Sequence, residues 1–297
     1  MGEEKKEDAS LLAEAMPPTT MIYYEYDGCF QLECESKIVG YKPEESQKNG
    51  TNEKSTQNFV NVYLDQSVFH AQGGGQPTDT GTITCQQDDK EIVIAVEKVT
   101  IDRTTGVAAH RGIASLKDGG GGDDNALLCL PVGSSVRLAV DSDNRRILSE
   151  CHTAGHVVDS CMAKIGKLMK PTKGYHFLDG PYVEYEGNIP PEERPQVLND
   201  LQTAFKELVE EDIPTNIEIL PEDKANEVCN RIAKNFDMKD FGGGKEEASD
   251  IRVVTVAGTF FKYKWNSPYV LAFNAYLTFS VFILLSRISM PLWRNTC

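Results

Sequence analysis

The hydrophobic pattern of this chain changes near residue 137, and this change constrains the fold more than any other feature of the sequence. Before it, short segments rich in β-branched and aromatic residues alternate with Gly, Asp, Asn and Pro; they lie at residues 21–24, 30–35, 59–64, 81–85 and 91–99. Short segments separated by turn residues are typical of antiparallel strands. We therefore predict an N-terminal antiparallel domain that resembles a β-barrel.

After residue 137, apolar residues recur at helical spacing. Asp141 or Ser142 can cap a helix that runs to about Met169, because their side-chain oxygens accept hydrogen bonds from the first N–H groups. A second helix follows the prolines at 190–191, and then come a strand at 216–220, a short helix from 222 and a strand at 251–256. This order predicts a second domain of α+β type, so the predicted fold class of the chain is α+β.

Four segments follow from these patterns. Residues 1–19 are acidic and lack strand signals, so we predict a disordered tail. Residues 20–140 form the barrel-like domain and residues 141–258 the α+β domain. Residues 259–297 form an atypical tail with a nearly continuous apolar run at 268–285, close to the shortest length that spans a bilayer. Polar residues dilute that run, so a tail-anchored membrane protein is an alternative rather than the main prediction.

The composition restricts the partners and the compartment. The net charge of −15 counts against a general nucleic-acid binder, which normally presents a basic face. The eight cysteines are scattered without a CxxC pair, and no apolar leader segment is present, so we predict reduced thiols in a cytoplasmic protein. No feature requires a protein partner.

The sharpest motif is HTAGH at residues 152–156. Its histidines, His152 and His156, are at positions i and i+4 and therefore lie on one face of the predicted helix. Two neutral imidazoles at this spacing can bind one Zn²⁺. Thr153 stands where an HExxH protease has its glutamate, so a protease of that class is not expected. The spacing alone also occurs in helices that bind no metal.

The second motif is FHAQGGGQPTDTG at residues 69–81. The glycines Gly73, Gly74 and Gly75 let a backbone adopt positive φ and pass close to a ligand, and Gln76 offers a donor and an acceptor. A tight β-turn explains the glycines equally well. No GxxxxGK[ST] pattern is present, so this is not a Walker phosphate loop.

Together, the two motifs resemble the alanyl-tRNA editing family, which comprises the stand-alone AlaX-like proteins and the editing domain of alanyl-tRNA synthetase. The resemblance extends over residues 20–258 and includes the segments VDSDNRR at 140–146 and GYHFLDGPYVEY at 174–185. It implies a β-barrel-like domain followed by an α+β domain that threonyl-tRNA synthetases also carry.

The implied activity is hydrolysis of the ester that joins a wrong amino acid, serine or glycine, to tRNA(Ala). His152 and His156 would be zinc ligands, while the 73–75 loop, Gln76 and Thr153 would line the substrate site at the tRNA acceptor end. The chain would be a zinc-dependent aminoacyl-tRNA deacylase that acts on charged tRNA supplied by other enzymes. No catalytic side chain is assigned.

The family completes its zinc site with a C-terminal CxxxH motif, and no such motif follows His156 here. Two of the four expected ligands are therefore present, and the resemblance ends before residue 259. His176, Cys229 or Cys297 are possible substitutes, although His176 reads first as a strand residue and Cys229 as a buried helix residue. A catalytically inactive form that binds tRNA or protein is the main alternative.

The remaining candidates are cations near the predicted helix. They could meet tRNA phosphates, or they could be solvated residues that favour a helix C-terminus. These residues are Arg145, Arg146, Lys164, Lys167, Lys170 and Lys173.

Overall fold

The computed structural model describes residues 16–25, 28–44, 59–87, 90–117, 130–212, 216–230, 251–256 and 259–262. The chain divides into two compact units. The first, the barrel unit, holds Met1–Gln72 and Thr78–Arg145, and the second, the histidine unit, holds Gly73–Pro77 and Arg146–Cys297. The short segment Gly73–Pro77 thus belongs to the histidine unit although its neighbours in sequence belong to the barrel unit.

Six antiparallel strands of the barrel unit close into a barrel in the order β2-β3-β7-β6-β5-β8. Alternate residues along each strand are buried, as Val60, Val62 and Leu64 show in β3, because successive side chains point to opposite faces. Two short strands, β1 and β4, pair in parallel beside it. The strands are β1 Thr20–Met21, β2 Glu33–Pro43, β3 Phe59–Leu64, β4 Gln66–Ser67, β5 Gly81–Gln87, β6 Lys90–Ile101, β7 Ala108–Leu116 and β8 Ser135–Val140.

The predicted α+β class with an antiparallel barrel is confirmed, with local differences. The strand predicted at 59–64 is β3, and those at 81–85 and 91–99 lie within β5 and β6. The strand predicted at 21–24 is wrong beyond Met21, because Ile22–Tyr24 form a 3-10 turn closed by the Glu25 N–H donating to the Ile22 carbonyl at 2.9 Å.

The described chain begins at Met16, inside the segment predicted to be a disordered tail. Thr19 is buried, and its Oγ1 donates to the Leu64 carbonyl and accepts from the Ala108 N–H, both at 3.0 Å. Thr19 is therefore part of the barrel unit. Residues 1–15 lie outside the described part of the chain.

A buried ion pair joins separate segments of the barrel unit. Arg145 donates from Nε and Nη2 to Oδ2 of Asp79, and its Nη1 and Nη2 also donate to the carbonyls of Cys29 and Val68 at 3.0 and 2.6 Å. The same Asp79 oxygen accepts from the His70 N–H at 2.5 Å. Because both charges are almost fully buried, removing one would leave the other uncompensated.

His110 is a second fully buried polar residue of the barrel. Its Nε2 lies 2.7 Å from Ser67 Oγ and its Nδ1 lies 3.1 Å from the Val62 carbonyl. Burial lowers the pKa of His110 from 6.5 to about 4.

We expect the chain to lose stability as the pH falls from 6.5 to about 4. In this range His110 of the unfolded chain binds a proton, whereas the buried His110 of the folded chain stays neutral. The pKa difference corresponds to about 3 kcal/mol. Urea unfolding at a series of pH values should show this slope in the wild type and a flatter one in His110→Gln. Equal slopes would contradict the burial argument.

Among its described residues, the histidine unit combines three helices with two small antiparallel sheets. Helix α1 starts with Asp141 accepting from the Asn144 N–H at 3.0 Å, which is the predicted cap, and it ends at Lys164 before Gly166, whose φ of 74° stops the helix short of the predicted Met169. The helices are α1 Ser142–Lys164, α2 Arg194–Glu210 and α3 Glu222–Asn230. The strands are β9 Lys170–Tyr175, β10 Tyr182–Glu186, β11 Asn216–Leu220, β12 Ile251–Val256 and β13 Thr259–Lys262.

The core of this unit forms where the apolar face of α1 packs against α2. Leu201 and Phe205 of α2 join Val158 and Met162 of α1, together with Val254 of β12. Residues of this core recur three or four apart along both helices, which is the spacing of one helix face. The core therefore holds α1 in a fixed position within the unit.

Strand β13 extends the sheet beyond the predicted boundary at residue 258, since Val253–Val256 pair with Thr259–Lys262. The apolar run at 268–285 lies outside the described residues. Within the described part, no helix is both long and apolar enough to cross a membrane.

Candidate metal centre

His152 and His156 lie on one face of α1, as their spacing predicts. Their ring centroids are 5.0 Å apart. His152 is almost fully buried, and His156 is partly buried. The Nδ1 atom of His156 lies 3.4 Å from Oδ2 of Asp159.

A third histidine, His176, joins this pair. It directly follows β9, and its ring stacks on that of His152 with centroids 4.4 Å apart and planes inclined by 21°. One ligand atom from each of the three histidines lies within 4.8 Å of the others. We call these three residues the histidine cluster.

Three glycines leave the space that the His176 ring occupies. A Cβ added to Gly155 would lie 2.4 Å from Cε1 of His176, and one added to Gly174 would lie 2.6 Å from Nε2. A Cβ at Gly75 would lie 2.4 Å from the Gly174 carbonyl oxygen and 3.0 Å from the His176 ring. Real Cβ atoms do not approach so closely, so a larger residue at these positions would displace the ring or its neighbours.

The glycine run before Gln76 forms a tight turn. Gly73 and Gln76 exchange two backbone hydrogen bonds of 2.9 and 3.1 Å across Gly74 and Gly75. Those two glycines have φ of 58° and 80°, a conformation that other residues rarely adopt. The Gly75 carbonyl also accepts from the His176 N–H at 2.8 Å. The turn is thereby joined to the segment that carries His176.

Gln76 connects the turn to the histidine cluster. Its side chain is fully buried, and its Oε1 lies 2.8 Å from Nδ1 of His152. Because an amide oxygen only accepts, Nδ1 of His152 carries the hydrogen and donates it. The other ring nitrogen, Nε2, then keeps its lone pair for a metal.

The protonation of the cluster suits metal binding. Burial, with a smaller effect of nearby His156, lowers the pKa of His176 to about 3, so this imidazole is neutral at physiological pH. Near His156, Tyr185 donates to Asp159 Oδ1 at 2.5 Å, and burial raises the pKa of that tyrosine well above its usual range. Neutral imidazoles are the form that binds Zn²⁺.

Several polar atoms at the cluster lack a hydrogen-bond partner among the described residues. They are Nε2 of Gln76 and both ring nitrogens of His176. Buried polar groups are normally paired, so such atoms at one place indicate a ligand. Three imidazole nitrogen donors fit Zn²⁺, and the residues present thus fit the metal that the sequence predicts.

The other candidate ligands and pocket residues lie as follows. Thr153 is buried on α1 next to His152. Cys229 is buried in α3, and within the described residues no cysteine or carboxylate joins the histidine cluster. Cys297 lies outside the described residues.

His176 is the residue whose position the sequence did not reveal. A weak signal was present, because it is the last histidine of the chain and belongs to the GYH segment of the family resemblance.

The six cations that were predicted to contact tRNA have different surroundings in the structure. Arg145 is buried in the ion pair with Asp79, so the surface contact predicted for it is wrong. Arg146 pairs with Glu150 at 3.1 Å, and Lys167 pairs with Glu193 at 2.6 Å.

The remaining three cations are lysines. Lys164 pairs with both Glu207 and Glu211 across to α2, at 3.0 and 2.8 Å. Lys170 and Lys173 lie on β9, where the Lys173 Nζ is 5.5 Å from the centre of the Tyr182 ring.

Several known proteins are similar to this chain in sequence. A family model described as tRNA synthetases class II (A) matches residues 1–121. The alanyl-tRNA editing protein AlaX-M of Methanosarcina acetivorans is 28% identical over 200 residues, which cover 66% of this chain and 72% of that protein.

Two alanine–tRNA ligases are also similar. That of Methanothermobacter thermautotrophicus is 29% identical over 50% of this chain and 13% of the ligase. That of Methanopyrus kandleri is 23% identical over 89% of this chain and 24% of the ligase. The chain thus spans most of the editing protein but a quarter or less of these ligases. These similarities confirm the resemblance that the two motifs predict.

Proposed function

Because this chain is related to the alanyl-tRNA editing proteins, we propose that it hydrolyses the ester of mischarged tRNA(Ala), with Zn²⁺ held by His152 and His156. The observation that carries this proposal is the histidine cluster with Gln76 hydrogen-bonded to His152. We further propose serine and glycine as the amino acids removed. The six described cysteines form no disulfide, which fits the reducing cytoplasm as the place of action.

Individual side chains have separate tasks in the proposed reaction. Gln76 holds the His152 ring through its Nδ1–H, which leaves the other ring nitrogen for the metal. The chemistry that Zn²⁺ supplies when bound is Lewis-acid activation of a water molecule or of the ester carbonyl. Aminoacyl esters are already labile, so the remaining requirement is to orient the substrate.

Selection of the substrate can use the polar atoms around the cluster. The Nε2 of Gln76 has no hydrogen-bond partner among the described residues and is a donor for a hydroxyl or carbonyl oxygen. Serine differs from alanine by one hydroxyl, and a site that hydrogen-bonds this hydroxyl selects serine over alanine. Glycine lacks a hydroxyl and is smaller than alanine, so its removal does not use this contact. We assign Gln76, Thr153 and the Gly73–Gln76 turn to this substrate site.

Although the chain is acidic overall, binding of tRNA requires that cations of the chain contact the tRNA phosphates. Among the proposed contacts, Arg146, Lys164 and Lys167 pair with glutamates, and Lys170 and Lys173 lie on β9. We propose Lys170 and Lys173 of β9 as phosphate contacts of this surface.

Replacing Lys170 and Lys173 with Gln should weaken tRNA binding and reduce its dependence on salt, because each phosphate contact releases a counterion. Filter binding over a range of salt concentrations measures both effects. Lys224→Gln on α3 is the matched control. An unchanged slope would assign these lysines to the solvated end of the helix and strand instead.

The deacylation assay tests the proposed function directly. Purified protein is incubated with Ser-tRNA(Ala), Gly-tRNA(Ala) and Ala-tRNA(Ala), and the loss of each ester is followed. We expect the first two to be hydrolysed and the third to be spared. Spontaneous rates for all three, with tRNA still bound, would instead support a catalytically inactive form that binds tRNA.

A further inference from the structure

We propose that His176 is a third metal ligand, so that this chain binds Zn²⁺ through three histidines. The proposal deepens the proposed function and rests on it, since it names a further ligand of the same metal. It addresses the ligands that the sequence lacks after His156.

The first support is proximity combined with burial. His176 offers a ligand atom within 4.8 Å of those of His152 and His156, and the residue is 1% exposed. Neither of its ring nitrogens has a hydrogen-bond partner among the described residues. Leaving a buried polar atom without a partner destabilises the fold, so an imidazole with two such atoms is explained best by a ligand that binds one.

The second support is the space made for the ring. Gly155 lies between the two metal-binding positions of α1, and a Cβ there would collide with the His176 ring. Glycine inside a helix is destabilising relative to alanine. Gly174 and Gly75 also leave room for this ring, and the Gly75 carbonyl accepts from the His176 N–H. Three glycines therefore keep the ring beside His152.

The third support is the chemistry of the donor set. Zinc sites with three protein ligands and one open position are the catalytic type, whereas four protein ligands make a closed structural site. Three histidines would leave a position for water or for the substrate. A three-histidine site would therefore suit hydrolysis.

Zinc affinity and cobalt spectra test the proposal on the full chain. Competition with a chromogenic chelator gives the zinc affinity of the wild type, His176→Ala and His176→Gln, and Co²⁺ absorption reports the ligand field. We expect the zinc affinity of both variants to fall by about 100-fold or more. Losing a hydrogen-bond partner of a metal ligand already lowers metal affinity by about 10- to 100-fold, and His176 is proposed as a ligand itself. The Co²⁺ spectrum should change as well.

His110→Ala is the matched control, because it removes another fully buried histidine from the barrel unit. It should lower stability and leave zinc affinity unchanged. Wild-type affinity and an unchanged Co²⁺ spectrum in His176→Ala would overturn the proposal. A raised KM for the tRNA in that case would assign His176 to the substrate.

Gly155→Ala provides a second test that does not remove any histidine. Alanine favours the helix, but forcing its Cβ against the buried ring strains the packing, so thermal unfolding of the metal-free chain should shift moderately downward while the chain stays folded. Its Cβ must displace the His176 ring, so zinc affinity should fall. Undiminished affinity would show that the ring position does not matter for the metal.

The outcomes separate this inference from the proposed function. If the wild type hydrolyses Ser-tRNA(Ala) and His176→Ala keeps full zinc affinity, only the third ligand is wrong. If zinc binding depends on His176 but no ester is hydrolysed, the three-histidine site stands and the deacylase proposal fails. If the wild type binds no zinc, the third ligand is overturned whatever the activity.

Discussion

Replacing Arg145 with Met should lower the free energy of unfolding by about 3–5 kcal/mol, the usual cost of breaking a buried ion pair. The substitution keeps an unbranched side chain of similar length but removes the charge and its donors. Asp79 would remain buried without its cation, and the Cys29 and Val68 carbonyls would each lose a donor. Because net stability of a domain is about 5–15 kcal/mol, this single change should bring the chain close to unfolding.

Urea unfolding followed by fluorescence measures this loss. Arg137→Met is the matched control, since Arg137 belongs to the same unit and pairs with Glu33 at 2.7 Å, but both side chains are more than half exposed. Exposed pairs contribute about 0–1 kcal/mol, so the control should lie near the wild type. Equal losses in the two variants would show that the Arg145 pair does not stabilise the fold as its burial indicates.

Replacing Gln76 with Leu should reduce zinc affinity by about 10- to 100-fold, the effect typical of losing a hydrogen bond to a metal-bound histidine. Leucine keeps the volume of the buried side chain but offers no acceptor to Nδ1 of His152. The ring would then be free to change tautomer and orientation, and the rate of ester hydrolysis should fall with the bound metal.

The Gln76→Glu variant separates the acceptor role of the Gln76 side chain from its donor role. Its carboxylate still accepts from His152, so zinc affinity should stay within the range of the wild type, whereas the Nε2 donor is lost. If that donor contacts the substrate, KM for Ser-tRNA(Ala) should rise in this variant. Gln66→Leu in the barrel unit controls for a lost glutamine, because the Gln66 side chain donates to the Glu35 carbonyl at 2.7 Å. A Gln76→Leu variant with full zinc affinity would contradict the role assigned to the His152 hydrogen bond.

Local patterns predicted the parts of the fold that local physics determines. Strand β3 shows strict alternation of buried and partly buried residues, and α1 carries apolar residues at helical spacing, so both were predictable. The same spacing placed His152 and His156 on one face. Strands β7 and β8 were not predicted. The sequence of β7, AAHRGIASL, contains one β-branched residue and an internal glycine, so its strand signal is weak.

The tertiary contacts of the site were not predictable from spacing. His176 lies beside the cluster because its N–H donates to the Gly75 carbonyl and three glycines leave room for its ring. Arg145 and Arg146 are adjacent and identical in type, yet one is buried against Asp79 while the other pairs with Glu150 near the surface. A charge pattern does not distinguish a buried ion pair from a phosphate-binding surface, so only the structure separates them.

The most direct test of the account compares metal-free and zinc-restored protein in the hydrolysis of Ser-tRNA(Ala). Chelation should abolish hydrolysis by the wild type, and about one zinc per chain should restore it. His152→Ala, which lacks the histidine held by Gln76, should show no recovery at the same zinc concentration. Hydrolysis at equal rates in the chelated and restored wild type would contradict the claim that the histidine cluster is a catalytic zinc site.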